Sequence, residues 1–194
     1  MRWNKKFEYP KSIRSTENGI RRYLIGEKKL PSVTSILDAT KSEEDKAALA
    51  NWRERTGQKE SEAIVKAASS RGSKMHAYLE SYLLGQQNMS FFDDGEQYKK
   101  MAKQIIEKGL DNRFEEIWGV ECTLFKPDAY SGTCDAVGIY DGKETIIDFK
   151  QSNKPKKIEY IDTWLLQTAA YSLAHNTVYK SNITSCVILV CTVD

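Results

Sequence analysis

Two aspartates and a lysine stand in the segment SGTCDAVGIYDGKETIIDFK, residues 131–150, where a packed β-sheet would normally carry apolar side chains. The central Asp141-Gly142 pair predicts a two-residue type I′ turn. The register of that hairpin places Asp135 opposite Asp148, with the two Cβ atoms about 4.5–5.5 Å apart. Strand alternation puts Lys150 on the same face as Asp148. The other face, which suits a packed core, carries Cys134, Ala136, Ile147 and Phe149.

Two carboxylates held opposite each other repel, and each disfavours ionisation of the other. A divalent cation such as Mg²⁺ or Mn²⁺ removes this cost, because these ions take oxygen ligands from carboxylates and waters. A neighbouring lysine can stabilise negative charge that develops on a phosphate, or orient an attacking water. The alternative is a hairpin of different register with an incidental Asp–Lys ion pair.

Three further places carry polar side chains that could belong to such a site. Glu121 lies in the preceding predicted strand, where it could ligate a metal, position a water or face solvent. His76 precedes Glu80 by four residues, so both project from one helical face, and His76 is either a ligand or a structural histidine. Gln167 and Tyr171 form another i, i+4 pair, which suits buried polar partners and DNA contacts equally well.

Charge and cysteine content limit the classes of partner and cofactor. The net charge of the 194 residues is only +2, but residues 1–29 hold nine Lys or Arg against three Glu, and a second basic run, KQSNKPKK, covers 150–157. Such clusters can follow a phosphate backbone, although most are solvated faces. No apolar run is long enough to span a membrane. The spacing of the four cysteines indicates that they act as small buried hydrophobic residues rather than as ligands of a zinc or iron–sulfur site.

The elements that must position these residues fall into two halves. An irregular basic N-terminus is expected to lead into helices, and Ser42 opens a capping-box-like SEED sequence. Short β-branched and aromatic runs begin near residue 118, followed by a helix over about 158–176 and a final strand. His175, near the end of that helix, favours an interaction with the helix dipole. The further predicted helical segments are 59–70, 73–84 and 96–110, separated by Gly72 and Gly85.

Taken in order, five short motifs resemble a known family. They are G-x-x-x-H (72–76), the strand glutamate Glu121, G-T-x-D (132–135), D-x-K (148–150) and Q-x-x-x-Y (167–171). This order resembles the RecB-type branch of the PD-(D/E)xK nuclease superfamily. Within it, residues 31–193 look most similar to the mitochondrial genome maintenance exonuclease family and its bacterial and phage relatives.

The resemblance implies an α/β fold with a PD-(D/E)xK restriction-endonuclease-like core, a mixed central sheet flanked by helices, and an N-terminal helical layer. It implies one nuclease domain over 1–194, with a basic segment (1–30), a mainly helical part (31–115) and a catalytic core (116–194). The implied metal ligands for Mg²⁺ or Mn²⁺ are His76, Asp135, Asp148 and the backbone carbonyl of Phe149. The implied catalytic residues are Asp135, Asp148, Lys150 and Glu121. The implied DNA contacts are Gln167, Tyr171, Ser152 and Lys154.

The family pattern also implies a metal-dependent exonuclease that trims single-stranded DNA from its ends. We expect a monomer without an iron–sulfur cluster or a membrane segment, in the cytoplasm of a bacterium or a phage-infected host, since no signal or clear transit peptide is evident. Two departures bear on activity. Gln151 stands where the family has threonine, and the chain stops at Asp194, where relatives continue, so we expect either a minimal core or one truncated at its C-terminus.

Three rival functions fit parts of the same sequence. An endonuclease, or a nuclease for flaps or duplex ends, would use the same core. A catalytically silent DNA-binding module would not require the complete set of aspartates, lysine and histidine. An interaction protein would use the basic N-terminus on an acidic partner.

Overall fold

The computed structural model describes residues 1–86 and 96–193, which form four strands, four α-helices, three strands, an α-helix and a final strand, in that order. The strands are β1 (Arg2–Trp3), β2 (Ile13–Glu17), β3 (Ile20–Ile25), β4 (Lys28–Pro31), β5 (Phe114–Lys126), β6 (Tyr130–Tyr140), β7 (Lys143–Ser152) and β8 (Ser185–Thr192). The helices are α1 (Val33–Ala39), α2 (Glu43–Thr56), α3 (Gln58–Leu83), α4 (Gln97–Ile105) and α5 (Asp162–Tyr179). Asp194 of the predicted core and 87–95 of the predicted helical part lie outside the described residues.

A mixed sheet of five strands, in the order β1-β5-β6-β7-β8, forms the centre of the molecule. Its outer pairs, β1 with β5 and β7 with β8, are parallel, whereas β5, β6 and β7 run antiparallel to one another. Helix α5 connects β7 to β8, as the parallel pairing of two consecutive strands requires. The predicted class, a mixed α/β fold with a central mixed sheet, is confirmed.

Helices cover both faces of this sheet and bury two apolar clusters. On one face α3 and α4 pack against the sheet, and the largest buried side chains there are Met75, Leu79, Met101, Phe114 and Phe149. On the other face α1 and α5 contribute Val33, Tyr171 and Ala174, which pack with Trp118, Leu124, Val137 and Ile146 of the sheet. The sheet therefore has no solvated face in its central strands, which explains why they read as nearly continuous apolar runs.

The prediction of an irregular N-terminal segment is wrong. Strands β2, β3 and β4 form a three-stranded antiparallel meander there. Its first turn is Asn18-Gly19, and both residues have positive φ, 51° and 77°. Asn-Gly is a strong signal for a two-residue hairpin, and the flanking strands are rich in Arg and Lys, which masked their alternation. The basic residues are therefore displayed on an ordered surface.

Helix α3 also differs from its prediction. The two segments 59–70 and 73–84 are one continuous helix, so Gly72 does not act as a break. A Cβ at Gly72 would lie 3.4 Å from the Gln151 side chain, which indicates that this glycine provides room for close helix–sheet packing. By contrast, the predicted cap of α2 is confirmed, because the Ser42 hydroxyl accepts a hydrogen bond from the amide of Asp45 at 3.1 Å.

Helix α5 turns an unexpected face to the sheet. Leu165 and Leu173, which gave the predicted apolar pattern, are 43% and 48% exposed. The helix begins at Asp162 after a single 3₁₀ turn at 158–160, later than predicted. The residues that it buries are Thr168, Tyr171, Ser172, Ala174 and His175. Polar and aromatic groups take the inner positions because this face meets both the candidate site and the N-terminal segment.

The predicted dipole role of His175 is wrong. Its ring is fully buried, with Nε2 3.1 Å from the hydroxyl of Tyr9 and Nδ1 2.6 Å from that of Ser181. Burial lowers the pKa of His175 to about 4, and the charge of Lys6 acts in the same direction. The ring is therefore neutral in the folded protein and serves as a packed, hydrogen-bonded part of the core.

Cys134 does not share a face with Ala136 as the strict alternation predicted. Cys134 packs on the α5 side with Cys122, whereas Ala136 packs on the α3 side. The alternation changes at Asp135, opposite the stretch of β5 where Glu121 adopts a left-handed conformation with φ of 48°.

Cys186 is exposed, contrary to the expectation for the four cysteines, and the other three are buried. In the ranges 1–86 and 96–193, no helix is both long and apolar enough to cross a membrane.

Candidate active site

The hairpin of β6 and β7 has the predicted register. Asp141 and Gly142 both have positive φ, 46° and 73°, as a type I′ turn requires. Backbone pairing runs from Tyr140 opposite Lys143 to Ala136 opposite Ile147. The ladder ends there, one residue short of Asp135 and Asp148, and the side chains of these two residues line the same cavity.

At this point the side chain of Asp135 takes the place of a backbone hydrogen-bond acceptor. Its Oδ2 accepts a hydrogen bond from the amide of Phe149 at 2.5 Å, and the residue is buried, with 8% of its surface exposed. Because the amide and carbonyl of a strand residue point to the same neighbour, the Phe149 carbonyl also faces this end of β6. One oxygen of Asp135, Oδ1, is left to face the helix side.

His76 of α3 and Glu121 of β5 meet that oxygen. His76 Nδ1 lies 3.2 Å from Asp135 Oδ1, and one ligand atom each from His76, Glu121 and Asp135 lies within 4.8 Å of the others. The left-handed backbone of Glu121 turns its carboxylate to this cluster. Two carboxylates and an imidazole at this spacing form a donor set that suits a divalent cation.

Asp148 and Lys150 form the other part of the site. Their side chains make a close ion pair, and they are 3% and 19% exposed, so the pair lies at the base of the site with the lysine closer to solvent. The oxygen of Asp148 that contacts the Lys150 ammonium is Oδ2, so this oxygen already has one positive partner. Burial and the nearby charge of Asp135 both disfavour ionisation of Asp148, which favours a further positive partner at this place.

The pKa values of the site follow from burial and crowding of negative charge. Partial burial in the cavity, together with the charges of Asp135 and Glu80, raises the pKa of Glu121 to about 7. Burial also raises the pKa of Asp148, although Lys150 opposes the shift. For His76, burial alone would lower the pKa, but the hydrogen bond and charge of Asp135 raise it above the usual value. Carboxylates that resist ionisation favour an arrangement completed by a cation.

All of these groups open into one polar cavity of about 530 Å³. The ionisable residues of α3, β5, β6 and β7 that line this cavity are His76, Glu80, Glu121, Asp135, Asp148 and Lys150. The predicted residues of the site, drawn from α3, β5, β6 and β7, are therefore brought together by the fold. A cavity with this lining can hold a cation and an anionic group bound to it.

Gln167 and Tyr171 line the same cavity from α5. The Gln167 side-chain amide donates to the Tyr171 hydroxyl at 3.1 Å, and Tyr171 is only 3% exposed. A Cβ at Gly132 would lie 2.7 Å from the Tyr171 ring, so the glycine of the G-T-x-D sequence permits this close approach. The pair is thus largely a buried support of the cavity wall, with Gln167 nearer to solvent.

Ser152 and Lys154 are not part of the cavity lining. Ser152 is buried, and its hydroxyl donates to the carbonyl of Lys154 at 2.7 Å, which closes the turn after β7. The Lys154 side chain is exposed on that turn. The structure therefore places these two residues beyond the site, where Lys154 could meet only a ligand that extends past the cavity.

Two curated relatives resemble this chain in sequence. Mitochondrial genome maintenance exonuclease 1 of Mus musculus is 32% identical over 137 residues, which cover 66% of this chain and 39% of that protein. The protein of the same name in Homo sapiens is 28% identical over 162 residues, which cover 78% of this chain and 46% of that protein. The similarity supports an exonuclease family. The chain spans less than half the length of these relatives, and no protein-family profile matches it.

Gln151 points away from the cavity and toward α3. Its side-chain oxygen accepts two hydrogen bonds from the Arg71 guanidinium, at 3.0 and 2.8 Å, and its side-chain amide donates to the carbonyl of Ala68 at 3.1 Å. The same guanidinium contacts Asn153. Gln151 therefore joins the strand of Asp148 and Lys150 to the helix of His76, a role that its position in the sequence did not reveal.

Sequence reasoning missed the wall formed by the N-terminal meander. Arg14, Arg21 and Tyr23 line the same cavity, together with Ser32 and Thr34 at the start of α1. The signal that could have found them is the Asn18-Gly19 turn, because a two-residue hairpin there fixes which residues of β2 and β3 share a face. The basic N-terminus is thus part of the site and not a separate segment.

Proposed function

We propose that this protein is a divalent-metal-dependent nuclease that hydrolyses single-stranded DNA from its ends, in DNA replication, repair or recombination. The observation that carries the proposal is the convergence of His76, Glu121 and Asp135 with the Asp148–Lys150 pair in one cavity. The similarity to proteins named as exonucleases supports the choice of reaction. A core of the RecB-like PD-(D/E)xK type is part of this proposal.

The residues present fit a divalent cation such as Mg²⁺ or Mn²⁺. His76, Asp135 and Asp148, with the Phe149 carbonyl, form the proposed ligand set, and Glu121 is placed to ligate or to position a water. The hydrogen bond from Phe149 fixes the Asp135 carboxylate, which orders the donor set before a cation arrives. When bound, the cation supplies Lewis-acid polarisation of a phosphate and a lower pKa for a bound water.

Lys150 is the proposed catalytic lysine. Its ammonium group lies against Asp148 at the base of the cavity, so it can contact a phosphate held there. A fixed positive charge in a partly desolvated site stabilises the extra negative charge of the transition state more than it would in water. Glu121, whose carboxylate lies beside His76 and Asp135, can accept a proton from a water.

The proposed DNA contacts divide into two groups. Gln167 and Tyr171 support the cavity wall beside Lys150, and the Gln167 amide can donate to a phosphate oxygen. Ser152 and Lys154 lie on the turn beyond β7, and we propose Lys154 as a contact for the strand after it leaves the cavity. Together, the two groups would contact the DNA strand inside the cavity and again beyond the end of β7.

The experiment that tests the function uses three DNAs with Mg²⁺ or Mn²⁺: an end-labelled linear single strand, a linear duplex and a circular single strand. Asp148→Asn is the inactive variant, and Asp128→Asn, a replacement at an exposed aspartate in the β5–β6 turn, is the matched control. We expect loss of the linear single strand alone, with wild type and Asp128→Asn equal and Asp148→Asn inactive.

The other outcomes separate the rival functions. Cutting of the circle would identify an endonuclease on the same residues. Degradation of the duplex at an equal rate would remove the single-strand preference. Binding of the linear strand without any cleavage in either metal would identify a DNA-binding module and overturn the proposed hydrolysis.

A further inference from the structure

Two arginines of the meander project over the candidate active site. Arg14 of β2 pairs directly with Tyr23 of β3, and Arg21 lies two residues before Tyr23, so alternation puts all three on one face. Tyr23 is 5% exposed, and its hydroxyl lies 3.4 Å from the Thr133 hydroxyl of β6, so this is the face that packs on the central sheet. Both arginine side chains are therefore directed to the cavity, which they line.

The two guanidinium groups differ from the two lysines of β4, which are both paired. On the opposite face Lys29 pairs with Glu17, and at the last turn Lys28 pairs with Asp128. Arg14 and Arg21 are exposed, and neither makes a side-chain hydrogen bond or an ion pair with any residue of 1–86 or 96–193. Four carboxylates line the same cavity, and the charge of Arg14 acts on one of them, Glu121, without a direct contact. Two unpaired guanidinium groups beside an acidic site leave their donors for a ligand that is itself anionic.

The backbone under Arg21 is held firmly. Its amide donates to the Ser35 hydroxyl and its carbonyl accepts from the Ser32 amide, both at 2.9 Å. These contacts fix β3 to the start of α1, and Ser32 and Thr34 line the same wall of the cavity. Arg14 also lines a second groove, next to the first, with Trp3, Tyr9 and Lys11. A ligand that leaves the cavity on this side passes directly over Arg14.

We propose that Arg14 and Arg21 form a phosphate-binding subsite that holds a DNA phosphate neighbouring the one at Lys150. This inference deepens the proposed function and rests on it. The guanidinium fork matches two phosphate oxygens, whereas an ammonium acts as a point charge, so arginine suits a positioning role. The phosphate is either a backbone phosphodiester or a terminal phosphate, because both present the same pair of oxygens. The adjoining groove with its Trp3 and Tyr9 side chains then receives the nucleotide on the far side.

The test measures DNA binding without cleavage, in the Asp148→Asn background with Mg²⁺. Internally labelled single strands with a 5′-phosphate, a 3′-phosphate or hydroxyl groups at both ends are titrated by fluorescence anisotropy at several salt concentrations. The variant is Arg14→Gln/Arg21→Gln. The matched control is Arg22→Gln/Lys29→Gln, which removes two charges from the opposite face of the same meander. Circular dichroism establishes that both variants are folded.

We expect the Arg14→Gln/Arg21→Gln variant to lose at least about tenfold in affinity and to lower the salt dependence by about 0.7 in log–log slope, the value for one phosphate contact on a single strand. An equal loss for all three strands identifies a backbone phosphodiester, and a loss confined to one phosphorylated strand identifies a terminal phosphate. Affinities and slopes equal to those of the control overturn the subsite. If the arginine variant shows the expected losses of affinity but the wild-type protein cleaves no DNA, the proposed nuclease activity is wrong and the phosphate-binding subsite still holds.

Discussion

Gln151 of β7 accepts two hydrogen bonds from Arg71 of α3, which joins the strand of Lys150 to the helix of His76. Arg71 lies five residues before His76, little more than one helical turn away. The contact therefore fixes the helix close to the point where His76 approaches Asp135. Outer contacts of this kind orient a ligand without touching the metal.

Replacing Gln151 with Leu should weaken both the fold and the binding of a metal ion. The change removes a neutral acceptor from a charged donor, which costs about 1.5–3 kcal/mol of unfolding free energy. It also frees α3 to shift, and we expect the Mn²⁺ affinity measured by calorimetry to fall about 10-fold. Gln58→Leu, at the exposed start of α3, is the control and should change neither quantity. An unchanged Mn²⁺ affinity in Gln151→Leu would show that the contact does not position His76.

Replacing Lys150 with Met should destabilise the metal-free protein through Asp148. The substitution leaves a carboxylate that is 3% exposed without its cation, a change that costs about 3 kcal/mol when a buried pair is broken. Urea unfolding at pH 8 measures the loss. The double variant Lys150→Met/Asp148→Asn should recover most of it, because no buried charge remains. Additive losses in the two single variants and the double variant would contradict the coupling.

Replacing Glu121 with Gly should make the protein more stable and less active. Glycine adopts a φ of 48° without strain, and the change removes a carboxylate crowded by Asp135 and Glu80, so we expect a gain of about 1 kcal/mol. Cleavage of single-stranded DNA should fall, since the proposed ligand or base is lost. Asp128→Gly makes the same change at a φ of 59° on the surface and should keep full activity. A stability loss in Glu121→Gly would argue against strain at this position.

The pH dependence of stability should carry a contribution from His175. The pKa of this buried ring is lowered to about 4, whereas an unfolded chain takes up the proton near pH 6.5. The unfolded state therefore binds more protons between these values, and stability is lost as the pH falls from about 6.5 toward 4. Thermal unfolding between pH 7 and 4.5 measures the slope. His175→Gln, which keeps a neutral polar side chain, should flatten it, and an unchanged slope would assign the effect to other groups.

The sequence was sufficient where local chemistry alone determines geometry. An Asp-Gly turn has one dominant hairpin geometry, and from it the juxtaposition of Asp135 and Asp148 follows by counting. The Ser42 cap is a similar case, because a hydroxyl three residues before an acidic side chain has few alternatives. In both cases the interaction is confined to a few neighbouring residues.

The sequence failed where distant segments decide the outcome. The inner face of α5 is polar because Tyr171 meets Gly132 and His175 meets Tyr9, contacts between residues far apart in the chain. The role of Gln151 depends in the same way on Arg71, 80 residues earlier. The meander was missed for a different reason, since its strands are too polar for the usual alternation to stand out.

Helix α3 is continuous from Gln58 to Leu83, about 39 Å at 1.5 Å per residue, and its first half stands largely free of the sheet. The contact between Arg71 and Gln151 ties the middle of this helix to β7. A ligand that binds the exposed first half and tilts the helix about this contact would therefore displace His76 from Asp135, several helical turns away.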